Sequence, residues 1–155
     1  MKHWLLIFML TLLACGGGED ELGKWHIDVQ DVGASILTHH AGQEVLLSIT
    51  CNESGFRASI HTDIHSDFRG VAHPVTIKFD DGDPVNQQWH YWHFAESGFY
   101  KTSIVADDPE AFISQLLDAN RLTVNIAVTD SDSVPATWDY VGGFAIAYEA
   151  VKRQC

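Results

Sequence analysis

Glu44-Val45-Leu46-Leu47-Ser48-Ile49-Thr50-Cys51 carries the clearest period in the chain. Val45, Leu47 and Ile49 alternate with Leu46, Ser48 and Thr50, which predicts a strand with one buried face and one mostly polar face. Working outward, Asn52-Glu53-Ser54-Gly55 supplies a turn, and 56–60 continues the same pattern. Upstream, 25–30 and 34–38 are short β-rich runs, punctuated by Asp31 and Gly33 and by Ala41-Gly42. Downstream, 75–79 places Val75, Ile77 and Phe79 on one face. Asp80-Asp81-Gly82-Asp83-Pro84 then turns the chain, because Asp and Gly tolerate the conformations a tight turn needs. Segments 88–94 and 99–105 predict a hairpin around Ser97-Gly98. The expectation to this point is a meander of about seven strands.

Two helices interrupt it. Asp108-Pro109-Glu110 is a start signal: an N-cap acceptor, proline at the first helical position and an acid in the first turn. Phe112, Ile113, Leu116 and Leu117 form an apolar stripe, and Asn120 is the expected stop. Segment 121–128 returns to β alternation through Leu122, Val124, Ile126 and Val128. After a polar loop over 129–133, a short strand is expected at 137–141. Gly142-Gly143 opens a last helix whose stripe is Phe144, Ala147, Tyr148 and Val151, with Cys155 on the same line. The fold class is mainly β (α+β): an antiparallel β-sandwich-like domain over 25–155, with two short helices, the second at the C-terminus.

The N-terminus reads differently. Met1 and Lys2 precede an apolar run over 4–13, broken only by Thr11. That is the length of a signal segment and too short to span a bilayer. It ends in Leu12-Leu13-Ala14-Cys15, which resembles a bacterial lipobox, with an aliphatic residue at −3, a small residue at −1 and the cysteine whose thiol accepts lipid. The expected organisation is a lipoprotein signal peptide over 1–14 and a lipidated Cys15 with a flexible tether over 15–24. A single β-rich periplasmic domain then fills 25–155. Gly16-Gly17-Gly18 and the acids Glu19, Asp20 and Glu21 suit a solvated tether. Gly16 in place of Asp after the cysteine implies, by enteric-type sorting, the outer membrane facing the periplasm. With Cys15 assigned to lipid, Cys51 and Cys155 remain, and in an oxidising compartment one pair most simply means one disulfide. Closing a loop of that length contributes about 4–5 kcal/mol in the chain-entropy model.

The chain has 155 residues and a formal net charge of −12, with nine Lys and Arg against 21 acids. Such a field repels nucleic acid and anionic headgroups, so membrane attachment is expected through the lipid anchor only.

Several constellations were weighed for chemistry. His61, Asp63, His65 and Asp67 alternate, so an extended chain would bring two imidazoles and two carboxylates to one face, a set suited to zinc. Gly70, Pro74 and the local charge favour a solvated loop instead, and the expectation is no metal. His90 and His93 are three apart in a strand and face opposite ways. His39-His40 reads as a polar strand end. Asp80-Asp81-Gly82-Asp83 lacks the spaced ligands of a calcium loop. Trp89, Tyr91, Trp92 and Phe94 suit either a ligand groove or core packing, and packing is the commoner use. Ser97, Ser103 and Ser131 have no nucleophile-elbow setting, and the paired cysteines leave no thiol nucleophile. The expectation is a protein that is not an enzyme and carries no cofactor.

The second half of the chain resembles the VasI/TagO-like proteins associated with type VI secretion. The residues carrying the likeness are 47–51, then Val75-Thr76-Ile77-Lys78-Phe79-Asp80-Asp81-Gly82 with Trp89 shortly after. Phe112 through Asn120 with Leu122-Thr123-Val124 adds to it, as does Ala136-Thr137-Trp138 through Gly142-Gly143-Phe144 to a terminal helix and cysteine. Lys78 stands where that pattern has arginine, and 61–73 and 87–93 are peculiar to this chain. The resemblance implies an exported accessory of a secretion apparatus, with envelope or secretion-system proteins as partners and no catalytic residues to carry over. Two rival readings share the composition: a periplasmic metal-binding lipoprotein using His61, Asp63 and His65, and a prophage- or immunity-type lipoprotein that blocks a receptor or toxin.

Overall fold

A nine-stranded antiparallel sheet accounts for most of the described chain. The structure is a computed structural model and describes residues 24–28, 30, 32–93 and 102–155. The expected signal segment, Cys15, the tether and the Ser97-Gly98 turn lie outside them. The strands are β1 (His26–Asp28), β2 (Gly33–His40), β3 (Gln43–Asn52), β4 (Gly55–Thr62), β5 (Val71–Phe79), β6 (Val85–His93), β7 (Thr102–Ala106), β8 (Leu122–Ala127) and β9 (Ser133–Trp138). Two helices complete the fold, α1 (Pro109–Leu117) and the C-terminal α2 (Phe144–Lys152). This is the expected mainly-β α+β class.

The alternation of β3 decides which face is inside. Val45, Leu47, Ile49 and Cys51 are buried, and their cross-strand partners on β4 are Thr62, Ile60, Ala58 and Phe56. The same face continues through Ile104 on β7, Tyr91 and Trp89 on β6, and Val75 and Ile77 on β5. Each fully buried aliphatic side chain contributes about 1.5–3 kcal/mol. The turn between β3 and β4 works as its residues predict. Gly55 takes φ = 106° and the Ser54 N–H donates to Asn52 Oδ1 at 2.8 Å.

The meander holds only for the first four strands. The spatial order is β1-β2-β3-β4-β7-β6-β5-β8-β9, so β5 lies three places from β4 and the next strands run back toward it. The crossing segment 63–70 explains the jump. Ser66 Oγ donates to the Ala127 carbonyl at 2.8 Å and the Asp67 N–H to the Val128 carbonyl at 2.8 Å. Those bonds deliver the chain to the end of β8, and β5 enters the sheet beside it.

The last strand also differs from expectation, running Ser133–Trp138 rather than 137–141. Pro135 lies within it. As the outermost strand, β9 tolerates a residue with no N–H to donate. Residue 141 instead ties the corner: the Val141 N–H donates to the Asn120 carbonyl at 2.7 Å, and Trp25 Nε1 donates to the Val141 carbonyl at 3.0 Å. The two flanks of the sheet approach each other, which makes it sandwich-like. Trp138 Nε1 donates to the Ile36 carbonyl at 3.1 Å, and Thr38 Oγ1 to the Thr137 carbonyl at 2.6 Å.

Both helices sit on the inner side. Asp108 caps α1 by accepting from the Ala111 N–H at 2.9 Å, and Pro109 occupies its first turn. Phe112 meets Trp89 edge to face at 5.2 Å. The helix ends at Leu117, before Asn120, whose N–H donates to the Asp80 carboxylate. By contrast, α2 has no side-chain cap and begins after Gly143 at φ = 91°. Its Ala147 and Val151 pack with Ala34 and Cys51. Beyond its end, Cys155 is bonded to Cys51 across 104 residues, with Cα atoms 5.7 Å apart. The expected disulfide therefore clamps the last helix onto β3.

Candidate functional site

Because the helices occupy the inner side, the outer face of β4, β7 and β6 receives the other half of each alternation. Across these strands the register aligns Ser59 with Val105 and His90 in one row, and His61 with Ser103 and Trp92 in the next. Arg57 stands one step further along β4. Asp107 directly follows β7, fixed by its N–H donating to the Gln88 carbonyl at 3.1 Å.

Arg57, His90, Trp92, Val105 and Asp107 line an open hollow of about 480 Å³. His90 Nδ1 lies 2.6 Å from Asp107 Oδ1, a contact that fixes the imidazole and engages that carboxylate. The rings of His90 and Trp92 are stacked with centroids 6.2 Å apart. Trp92 is 47% exposed, whereas Trp89 and Tyr91 on the same strand are fully buried. Arg57 is exposed and has no ion-pair partner among the described residues, although acids outnumber Lys and Arg by 21 to nine in the chain.

Beside the hollow, Ser59 Oγ and His61 Nε2 are 3.0 Å apart. Burial, and then the Arg57 charge, hold the His61 imidazole below its ordinary pKa and so favour its neutral form. Ser59 and Ser103 are buried on this face, and Ser103 Oγ has no hydrogen-bond partner among the described residues. Ser59 and His90 belong to strands separated by β7, so their backbones are about 9–10 Å apart. The Ser59–His61 and His90–Asp107 pairs thus lie on the two strands that flank β7.

The residues weighed for zinc fall apart in space. Strand β4 ends at Thr62, whose Oγ1 accepts from the Ile64 N–H at 3.1 Å. The extended geometry that would align His61, Asp63 and His65 stops there, and His65 Nε2 lies 3.8 Å from Asp67 instead. Among the described residues, no three His, Cys, Asp or Glu side chains gather as a metal set. Asp80 has a different task from calcium binding. At φ = 48° its carboxylate accepts from the N–H groups of Asn120 and Arg121, at 2.9 and 2.8 Å. It ties the β5 turn to the start of β8. His39 and His40 end β2, as a polar strand end should.

Sequence reasoning grouped the aromatics of β6 and weighed its histidines only as joint ligands, so it passed over Arg57 and Asp107. The available signal was the alternation itself, which sends His90 and Trp92 to the face opposite Trp89 and Tyr91. Tyr91 is an inner-face residue in every respect. Its hydroxyl accepts from the Ala127 N–H at 3.0 Å, and burial pushes its pKa up to about 12.

No family model matches the chain, and no curated protein matches it. A similar solved structure is that of invasion associated protein B from Bartonella henselae, with a TM-score of 0.53 over 83% of this chain and 90% of that one. At 16% identity, this likeness shows a shared fold.

Proposed function

We propose that this chain is a lipid-anchored accessory protein of the bacterial envelope that binds a partner protein through the hollow on its outer face. One observation carries the reading: a half-exposed Trp92 beside an Arg57 that no carboxylate of the described chain neutralises. A large aromatic face next to an arginine is the composition of binding hot spots. The lipobox-like Leu12-Leu13-Ala14-Cys15 and the Gly16-Gly17-Gly18 tether support attachment at the outer membrane, on the periplasmic side. The Cys51–Cys155 bond suits an oxidising compartment. Resemblance to VasI/TagO-like proteins directs the search for the partner to the type VI secretion apparatus.

The test is photo-cross-linking of the full-length chain in the cell, with the reactive group at Trp92 or, as control, at exposed Ser114 on α1. A discrete partner captured from position 92 and absent from position 114 is expected. Cys15→Ser should release the protein from the membrane fraction and weaken the cross-link. Equal capture at both positions would remove the site, and membrane fractionation unchanged by Cys15→Ser would remove the anchor.

A further inference from the structure

The hollow has a chemistry more specific than a generic contact patch, and its ligand class follows from how its charges are distributed. Asp107 could have neutralised Arg57, since continuing the β4–β7 register places the two opposite each other. Instead its carboxylate is held by His90 at 2.6 Å, and Arg57 has no ion-pair partner among the described residues. A guanidinium left open beside an apolar wall offers two parallel N–H donors in a fixed plane, the geometry that a carboxylate accepts best. Val105 and the half-exposed indole of Trp92 supply the wall.

Resting on the reading that this hollow is a binding site, we propose that it takes a carboxylate held next to an apolar side chain, on an acidic segment of the partner protein. Arg57 receives the carboxylate, and Trp92 with Val105 receives the neighbouring apolar group. A doubly charged phosphate suits the hollow less well, because the Asp107 carboxylate lines the same space and repels a second negative charge. The overall charge of −12 adds selectivity. The acidic surface disfavours anionic segments in general, and the hollow joins an exposed guanidinium to an apolar wall that a carboxylate beside an apolar group matches. An acidic sugar shares the carboxylate, but its hydroxyls ask for several side-chain acceptors and donors. Beyond the charged pair of groups already assigned, the lining residues His90 and Trp92 offer ring nitrogens and no hydroxyl or amide side chain.

The experiment is a titration of the full-length, ¹⁵N-labelled chain in detergent micelles, following the Trp92 indole N–H and the Arg57 Nε–H by NMR. The probes are acetyl-Glu-Phe-amide, its neutral isostere acetyl-Gln-Phe-amide, and glucuronate as the acidic-sugar arm. The Glu peptide should shift both signals saturably, with the Gln peptide about tenfold weaker, as expected for loss of one hydrogen-bonded charge. Arg57→Gln should erase the difference between the peptides, and Trp92→Ala should abolish binding of both. Both positions are exposed, and an unchanged Trp89 signal verifies folding in each variant. Equal affinity for the two peptides, tighter binding of glucuronate, or no response to the Glu peptide would overturn the proposal. If the peptides fail while cross-linking at position 92 persists, the ligand class is wrong and the binding site stands. If both fail, the site itself is wrong.

Discussion

Trp89 and Trp92 stand three residues apart on β6, and the alternation of the strand sends them to opposite faces of one sheet. Trp89 is fully buried against Phe112 of α1, whereas Trp92 is 47% exposed beside His90 and Arg57. The same contrast runs across β4 and β7: Ile60 and Ile104 inside, with Ser59, His61, Ser103 and Val105 outside. The inner face is closed by helices and a disulfide. The outer face keeps charges and an aromatic surface that the packing of the domain does not require. Identical side chains on one strand are thus divided between holding the fold and meeting something outside it.

The largest effect should come from the inner face. Trp89→Ala removes a fully buried indole and should cost about 3–5 kcal/mol. Trp89→Phe should cost clearly less, because the Trp89 Nε1–H is buried with no partner among the described residues and the smaller ring removes that donor. Chemical denaturation at neutral pH measures both. If Trp89→Ala proves as mild as a surface change, the division between faces fails at its centre.

The clamp on the inner side ranks next. Cys155→Ser should lower stability by about 2–5 kcal/mol, and Cys51→Ser by a similar amount. The double variant should be no worse than either single, since all three break the same bond. The expected loss is concentrated in α2, which has no side-chain cap and depends on Cys155 and the Ala34–Ala147–Val151 contacts to stay seated. Hydrogen exchange should show α2 opening while α1, capped by Asp108 and followed by the Asp80 tie, keeps its protection. Uniform loss of protection across both helices would contradict this.

These elements also show what local sequence encodes. The period of β3, the Asp108-Pro109 start of α1 and the terminal stripe ending in Cys155 are short-range patterns, and each forms as its residues require. The strand order was not legible, because alternation specifies a face and says nothing about which neighbour a strand will choose. That choice rests on the Ser66 and Asp67 bonds to the end of β8, contacts more than sixty residues apart in sequence for Ser66. Strand β9 was placed late because Pro135 reads as a loop residue until an edge position excuses it. The hollow was hidden for a related reason: Arg57 alone resembles any solvated strand residue, and it acquires meaning only when β7 and β6 arrive beside it. The cysteine pair needed no such context, since the expectation of a lipidated Cys15 left Cys51 and Cys155 to be joined.

A smaller effect should appear on the outer face, as a pH dependence. Burial and the nearby Arg57 lower the His61 pKa in the folded chain below its ordinary value of about 6.5. Below that pH the unfolded chain takes up the proton first, so stability falls on acidification until the folded ring is also protonated. His61→Gln keeps a polar partner for Ser59 and removes the titration. Its denaturation midpoint should therefore fall less steeply than wild type between about pH 7 and the folded pKa. Parallel slopes for the two proteins would show that His61 is not held neutral by the fold.

Of the two tryptophans, Trp92→Ala should cost the less stability, and it is the sharpest test of the comparison. Trp92 stacks on His90 and lines the hollow, while its cross-strand partner Ser103 is a small residue that offers little to pack against. Truncating it removes a half-exposed ring that lies outside the core, so the loss should stay within about 1–2 kcal/mol, well short of that at Trp89. Binding should respond more strongly, because an exposed indole beside an arginine with no ion pair among the described residues is where an interface concentrates its energy. Loss of partner capture with a denaturation midpoint far less lowered than in Trp89→Ala would separate the two faces by function. A loss of several kcal/mol would instead make Trp92 a structural residue like Trp89, and the outer face would have no claim to a partner.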